Sequence, residues 1–185
     1  MDALLRLSDV LRRWLERIAL ASGWLLVAMA CLTTFDVVSR KFGVRLPYTK
    51  LQELEWHLHA ALFSLWMGYC YTINAHPRID TFHERLSDRG RAWIELGGCL
   101  LLALPYTALV AYFSLEFVAL SFQLDEQSES GTGLPHRWII KGIYAAGLWL
   151  VVLGVLSVMF RVIVFLFGNP DREVDLRIDR VAADV

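Results

Sequence analysis

The sequence predicts an all-α integral membrane protein with four transmembrane helices. Four runs of 18 to 20 residues carry almost no full charge, and they lie at 18–35, 56–73, 96–115 and 142–160. At about 1.5 Å per helical residue, each run reaches about 27–30 Å, the thickness of a hydrocarbon core. A mean hydropathy of +0.45 and a hydrophobic content of 56% agree with this class.

Composition and cysteine positions exclude several other classes of protein. The formal charge of −1 gives no reason to expect nucleic acid as a partner. Only short loops and two tails remain outside the four runs, so no separate soluble domain is expected. Cys31, Cys70 and Cys99 fall one in each of the first three runs and form no Cys-x-x-Cys pair. We interpret them as apolar packing residues.

The first predicted element is an interfacial amphipathic helix over residues 1–17. Its apolar residues recur at helical spacing and are Leu4, Leu7, Leu11, Trp14 and Leu15. Arg12, Arg13 and Arg17 are expected to meet anionic lipid headgroups. A cleaved signal peptide is rejected because the apolar run that follows is too long and continues into Asp36–Arg40.

A four-helix bundle is expected next, over residues 18–168, followed by a cytoplasmic tail over 169–185. The spans are placed at about 18–38, 54–73, 93–117 and 139–160. Trp14, Trp56, Trp93 and Trp138 lie at the boundaries, where indole rings suit the headgroup level. Arg161 is expected to reach the inner headgroups. Pro105, the only proline inside a span, is interpreted as a bend.

The distribution of basic residues orients the chain. An even number of spans puts both tails and the central loop on one side, which carries twelve Arg and Lys residues against six on the other. The positive-inside rule therefore predicts that the N- and C-termini are both cytoplasmic.

Two histidines suggest an alternative function. His57 lies near the outer start of the second span and His136 near that of the fourth, so facing imidazoles could hold a b-type haem in an electron-transfer anchor. Against this, His57 and His59 lie about 200° apart around a helix, so only one could face a given centre. His136 also lies just outside its span.

A metal site is a weaker alternative at the exit of the second span. His76, Asp80 and His83 have a spacing that could meet a metal on one helical face, but Pro77 interrupts the first turn. We therefore expect no metal, no cofactor and no catalytic residue in this chain, which is not expected to be an enzyme.

Polar residues are concentrated around the second span. Arg40 ends the first span while Glu53 and Glu55 open the second on the same side, so a salt bridge between these ends is expected to fix the relative height of the two helices. At the cytoplasmic exit, His76 to Asp80 is expected to form a matching polar clamp.

Several short motifs occur in an order that resembles a known family. R-x-F, E-x-E-W, G-x-x-Y and H-x-R-x-D are followed by Glu126-Gln-Ser128 and Gly133-Leu-Pro135 before the fourth span. Over residues 14–168 this order resembles the small membrane subunit of TRAP transporters, the DctQ-like or Q component. The Glu-Trp-His-Leu-His run is similar to the subgroup labelled mannitol/chloroaromatic or 2-oxo acid. The chain departs from the family at Ala145-Ala146-Gly147, where members often have Pro-Leu-Gly.

The resemblance implies a small accessory or scaffold subunit of a tripartite, sodium-driven transporter that imports organic acids across the bacterial inner membrane. It implies a stable partner, the large membrane subunit or M component, which binds the sodium ions and carries the substrate. A periplasmic substrate-binding protein, the P component, would be a transient partner, and this chain would not hold substrate. The expected partner contacts are Arg40, Glu53, Glu55, Trp56, His57, His76, Arg78 and Asp80. The expected lipid anchors are Arg12, Arg13, Trp14, Arg17, Trp93, Trp138 and Arg161.

Overall fold

The computed structural model describes residues 1–75 and 86–168, and within these ranges the regular secondary structure is helical. The all-α class predicted from the sequence is therefore confirmed. The helices are α1 (Asp2–Ser22), α2 (Trp24–Lys41), α3 (Tyr48–Thr72), α4 (Asp88–Gly98), α5 (Leu104–Gln123) and α6 (Trp138–Phe167), with a π-helical turn at Cys99–Ala103 between α4 and α5.

Helices α1 and α2 form one helical segment of 40 residues. Gly23 joins them in right-handed helical geometry (φ −55°, ψ −28°), and its N–H donates to the carbonyl oxygen of Ala19 at 3.0 Å. The helix that we expected to end at residue 17 therefore continues to Ser22 and is followed, through Gly23, by α2. Ser8 and Leu15 lie on the side of α1 that is buried against other helices, while Leu7 and Trp14 are exposed.

Helices α4 and α5 also form one segment, of 36 residues, with the π-helical turn inside it. Ser87 caps its start by accepting a hydrogen bond from the Gly90 N–H at 3.3 Å. Pro105 has no N–H to donate, and directly before it the helix widens so that the Leu104 N–H bonds to the Cys99 carbonyl oxygen. The bend expected at Pro105 thus coincides with a π-helical turn.

The most extensive packing joins α3 and α6, and small residues make it possible. A Cβ atom added to Gly147 would lie 2.5 Å from Ser64 Cβ, and one added to Gly154 would lie 2.5 Å from the Gly68 carbonyl oxygen. Ser64 and Gly68 are both buried on α3. Only residues with little or no side chain permit such close approach of two helix backbones.

The helices form an open layer in the order α2, α3, α6, α5. Helix α6 packs against α1, α3, α4 and α5, whereas α2 packs on α3 and α1, and α5 packs on α6 and the π-helical turn. In the described ranges the two edge helices have no substantial packing on each other. The most apolar window of α6 is 44% buried, compared with 11% for α1–α2 and 17% for α4–α5. In the described ranges the four-helix bundle that we expected takes the form of a layer with two open edges.

Three segments are long and apolar enough to cross a membrane: Asp2–Lys41, Asp88–Gln123 and Trp138–Phe167. The remaining predicted span, the second in chain order, corresponds to α3, which has 25 residues but is not among these segments. Its first half carries Glu53 and Glu55 as well as two histidines, and these polar residues lower its hydropathy. The expected count of four spans is thus supported for three of them.

Candidate functional site

The polar residues of the protein gather at the two ends of the helical layer. The loop end comprises the end of α2, the start of α3, the end of α5, the start of α6 and the 124–137 loop. There Trp138 packs edge-to-face on Phe122, with ring centroids 5.3 Å apart. The tail end comprises the starts of α1 and α4 and the ends of α3 and α6. There Trp93 packs in the same way on Phe167 at 5.5 Å.

At the loop end, Glu53 connects α3 to the 124–137 loop. Its carboxylate accepts hydrogen bonds from the Leu134 N–H at 2.5 Å and from the Ser128 hydroxyl, and Arg137 Nη2 lies 3.7 Å away. The side chain is 16% exposed. The hydrogen bond from Leu134, then that from Ser128 and the charge of Arg137, lower the pKa of Glu53, which lies just before the predicted second span.

The loop folds back on itself around this carboxylate. The Ser128 N–H donates to the Leu134 carbonyl oxygen at 3.2 Å, and the Thr132 hydroxyl donates to Thr49 Oγ1 at 3.2 Å. A Cβ atom at Gly133 would collide with both Ser128 and Glu53. The two loop motifs, Glu126-Gln-Ser128 and Gly133-Leu-Pro135, therefore meet on Glu53. Sequence reasoning singled out both motifs and Glu53 but did not connect them.

A second carboxylate holds the start of the same loop. Glu126 pairs with Lys141 of α6, whose Nζ lies 3.9 Å from the centroid of the Phe117 ring. The Arg137 N–H donates to the Glu126 carbonyl oxygen at 2.9 Å. The hydrogen bond and the positive charge of Lys141 lower the pKa of Glu126. The loop is thus fixed to α3 by one acid and to α6 by another.

The predicted salt bridge from Arg40 to Glu53 or Glu55 is wrong. Arg40 Nε instead pairs with Asp36 Oδ2 at 2.9 Å, one turn away in the same helix, and its guanidinium lies 4.4 Å from the Tyr48 ring centroid. Asp36 is only 5% exposed, so its buried charge requires a nearby cation, and Arg40 at i+4 is closest. In the described part of the chain, Glu55 Oε1 is buried with no hydrogen-bond partner.

The two histidines of the haem alternative line the same pocket. It has a volume of about 470 Å³, lies between α2, α3 and α6, and is otherwise lined mainly by leucine, isoleucine and alanine. Nδ1 of His57 is in hydrogen-bond contact with the Glu53 carbonyl oxygen, and Nδ1 of His136 lies 3.2 Å from Asp125 Oδ1. Trp56 points outward nearby and is 76% exposed.

At the tail end, Arg161, which we assigned to the inner headgroup region, faces α1. Its guanidinium pairs with Asp9, and its side chain is only 13% exposed. Next to this pair, the Ser8 hydroxyl donates to the Ser157 carbonyl oxygen at 2.8 Å, and the Ser157 hydroxyl donates to the Ser8 carbonyl oxygen at 3.0 Å. No local sequence signal connects residues 149 positions apart, so this cluster was not predicted.

The remaining predicted residues divide into two groups. Arg13, Trp14 and Arg17 are exposed and Arg12 is partly exposed on α1, which leaves them available to lipid as predicted but does not test that contact. His76, Arg78 and Asp80 lie outside the described residues, as does His83.

Comparison with known proteins gave one match. A family model described as "Tripartite ATP-independent periplasmic transporters, DctQ component" matches residues 29–165. This range contains α3, α4, α5 and nearly all of α6, together with Glu53 and the two loop motifs that meet on it. No curated protein and no solved structure matched the chain.

Proposed function

Because the chain belongs to the DctQ family of tripartite ATP-independent periplasmic transporter components, we propose that it is the small accessory subunit of a sodium-driven importer of organic acids. The family is one of transporter components rather than enzymes. In this proposal the chain assembles with a large membrane subunit, which carries the substrate and the sodium ions. A periplasmic binding protein delivers the substrate and contacts the pair only transiently.

The observation that carries this proposal is the open layer of helices. Both edge segments remain largely uncovered, at 11% and 17% burial, while the central α6 is 44% buried. A layer with two uncovered edges offers a broad surface to a second membrane protein, and such packing between membrane helices needs no change in the layer itself.

The fixed contacts within the layer favour a static role. Close packing of α3 and α6 at Gly147 and Gly154 leaves no space for one helix to slide past the other. The Glu53 contacts fix the loop end, and the Ser8–Ser157 hydrogen bonds fix α1 at the tail end. We therefore propose a scaffold that holds its partner in place during transport.

We also propose a topology and a role for the loop end. Both termini are cytoplasmic, and α3 crosses the bilayer in addition to the three more apolar segments. The loop end then faces the periplasm of a bacterial inner membrane. The 124–137 loop and the exposed Trp56 then form part of the surface offered to the binding protein. Arg40, Glu55 and His57 lie at the same end as candidate contacts, and His76, Arg78 and Asp80 remain candidates at the other.

Reconstitution tests the proposal. Vesicles that contain this chain alone, the large subunit alone, or both are given the binding protein, a labelled organic acid and an inward sodium gradient. We expect uptake at full rate only with both membrane subunits. Uptake by this chain alone would contradict an accessory role, and a Soret absorbance band in the purified chain would instead support the haem-binding alternative.

A further inference from the structure

The α5 edge carries polar groups in the part of the helix that would lie in the hydrocarbon core. Tyr106 is 70% exposed near the middle of the predicted third span, and Tyr112 is 58% exposed. Within the described ranges, no protein group hydrogen-bonds to either hydroxyl. Tyrosine suits the headgroup level, where its hydroxyl finds water, and the centre of a bilayer supplies no such partner.

Pro105 and the π-helical turn before it lie on the same edge. The wider turn accommodates the missing N–H of proline. The neighbouring side chains Leu101 and Leu102 are 77% and 72% exposed, so this part of the helix is not covered by the rest of the chain.

A groove lies beside this turn and continues the same edge. Its volume is about 970 Å³, and Tyr71, Glu95, Pro105 and Tyr106 are among the residues that line it. Toward the loop end, Glu116 is exposed on α5. Helix α5 contains no lysine or arginine. The lining of the groove is mostly apolar. The exposed carboxylate of Glu116 and the exposed hydroxyls of Tyr106 and Tyr112 add acceptors to this edge, and a partner that supplies apolar side chains, hydrogen-bond donors and positive charge complements it.

The α2 edge does not have this character. Its carboxylate, Asp36, is buried and paired with Arg40 inside the same helix. The Thr34 hydroxyl donates to the Ala30 carbonyl oxygen at 2.8 Å, so it needs no external partner. No proline interrupts Trp24–Lys41. Asp36 Oδ1 has no hydrogen-bond partner among the described residues, but it is buried within the layer, so lipid on the outer side of this edge meets no bare carboxylate.

We propose that the large membrane subunit docks on the α5 edge, through a helix that presents Arg, Lys, Ser or Thr side chains to Tyr106, Glu116 and the groove beside Pro105. This inference rests on the proposed function and assigns the docking face within it. The α2 edge then faces lipid.

Co-purification of the two membrane subunits tests this assignment. The chain is tagged, co-expressed with the large subunit from the same genome, and extracted in mild detergent. Leu109→Trp adds bulk to the α5 edge, and Val27→Trp is the matched control on the α2 edge, since these positions are 56% and 51% exposed. We expect Leu109→Trp to lower recovery of the large subunit about tenfold and Val27→Trp to lower it less than about twofold.

Tyr106→Phe provides a second test that removes a single exposed oxygen atom and so does not endanger folding. We expect it to lower recovery about threefold or more, because a donor on the partner loses its acceptor. If Leu109→Trp fails to give a monodisperse chain, recovery of the large subunit with Tyr106→Phe alone tests the assignment of the α5 edge. Full recovery with Tyr106→Phe and Leu109→Trp, or loss of recovery with Val27→Trp alone, would overturn the assignment of the α5 edge while leaving the accessory role intact. If the wild-type chain does not retain the large subunit, both proposals fail.

Discussion

Glu53 is the residue on which the loop end depends. Two of its hydrogen bonds come from opposite sides of the 124–137 loop, from Ser128 and from the Leu134 N–H. We predict that Glu53→Gln loosens the loop, because a neutral amide is a weaker acceptor than a carboxylate. Hydrogen exchange at the Leu134 amide is expected to accelerate about tenfold.

Glu55→Gln is the matched control for that variant. It makes the same chemical change two residues away, at a carboxylate whose buried Oε1 has no hydrogen-bond partner among the described residues. Exchange at the Leu134 amide should stay at the wild-type rate in this control. Equal rates in the wild-type chain and the Glu53→Gln variant would show that the carboxylate does not hold the loop.

The same two acids make the loop sensitive to low pH. Folding lowers the pKa of Glu53 and of Glu126 below their ordinary value of 4.5, so the folded loop favours the charged forms. The resulting stabilisation is present above pH 4.5 and is lost as the pH falls through the lowered values. Exchange rates in the loop, corrected for the intrinsic effect of pH, should therefore rise on acidification. A Glu53→Gln/Glu126→Gln double variant should not show this rise, and one that did would contradict the assignment.

At the scale of the elements, the α3–α6 contact depends on the absence of side chains. A Cβ atom at Gly68 would lie well inside contact distance of the Leu150 carbonyl oxygen, which is backbone and cannot turn aside. We predict that Gly68→Ala destabilises the protein by about 1–3 kcal/mol in detergent, as overpacking does elsewhere. Thermal unfolding followed by circular dichroism measures this change.

Gly97→Ala is the control for the α3–α6 contact. Gly97 also lies in a helix, but a Cβ atom there would have no neighbour within 4 Å. Since alanine is favoured over glycine in helices by about 1 kcal/mol, this variant should be neutral or slightly stabilising. Two variants of equal stability would mean that the helices can separate at Gly68 without cost.

Helix α1 is held to α6 by a separate polar cluster. Asp9→Asn removes the charge that pairs with Arg161 and is expected to weaken the docking of α1 by up to about 1 kcal/mol, because Asp9 is half exposed. Trypsin cleavage after Arg12 and Arg13 should then become faster. Asp88→Asn is the control. Asp88 is also exposed, but its pair with Arg91 is longer, at 3.9 Å, and lies within α4, so its loss should not affect α1. Unchanged cleavage in Asp9→Asn would assign the docking to the Ser8–Ser157 bonds.

For the whole molecule, the sequence predicted the class and most helix positions because long apolar runs have few alternatives. It did not predict that α1 continues into α2, since a glycine such as Gly23 can end a helix or continue it, and packing decides between these outcomes. It also did not predict an open layer, because the contact partners of each helix depend on small residues such as Gly147 that look alike in a sequence.

Only part of the candidate site was predicted, because the sequence does not show which distant residues come into contact. Glu53 and both loop motifs were singled out, but the pairing was assigned to Arg40, which has a closer partner at Asp36 one helical turn away. Charge and spacing identify residues that need partners. They do not show which of several partners lies nearest when the actual partner is 75 residues away in the chain, as Ser128 is from Glu53.

The crossing of the bilayer by α3, the second predicted span, is the whole-molecule prediction that remains to be tested. Thr49 at the start of α3 and Thr132 in the 124–137 loop are hydrogen-bonded at 3.2 Å, so α3 and α6 both begin at the loop end. Helix α3 has 25 residues, about 37 Å in length, and it lies between α2 and α6. It is therefore long enough to cross the bilayer, with its polar first half at the loop end and its buried residues in the second half.

Cysteine labelling in intact cells measures this topology. In a background with Cys31, Cys70 and Cys99 replaced by alanine, single cysteines are placed at Arg45, Glu129 and Asp2. With four spans and cytoplasmic termini, a membrane-impermeant maleimide that reaches the periplasm should label Arg45→Cys and Glu129→Cys but label Asp2→Cys only after lysis. If α3 did not cross, Arg45→Cys and Glu129→Cys would lie on opposite sides of the membrane. Labelling of Asp2→Cys alone in intact cells would mean that the positive-inside rule fails for this chain.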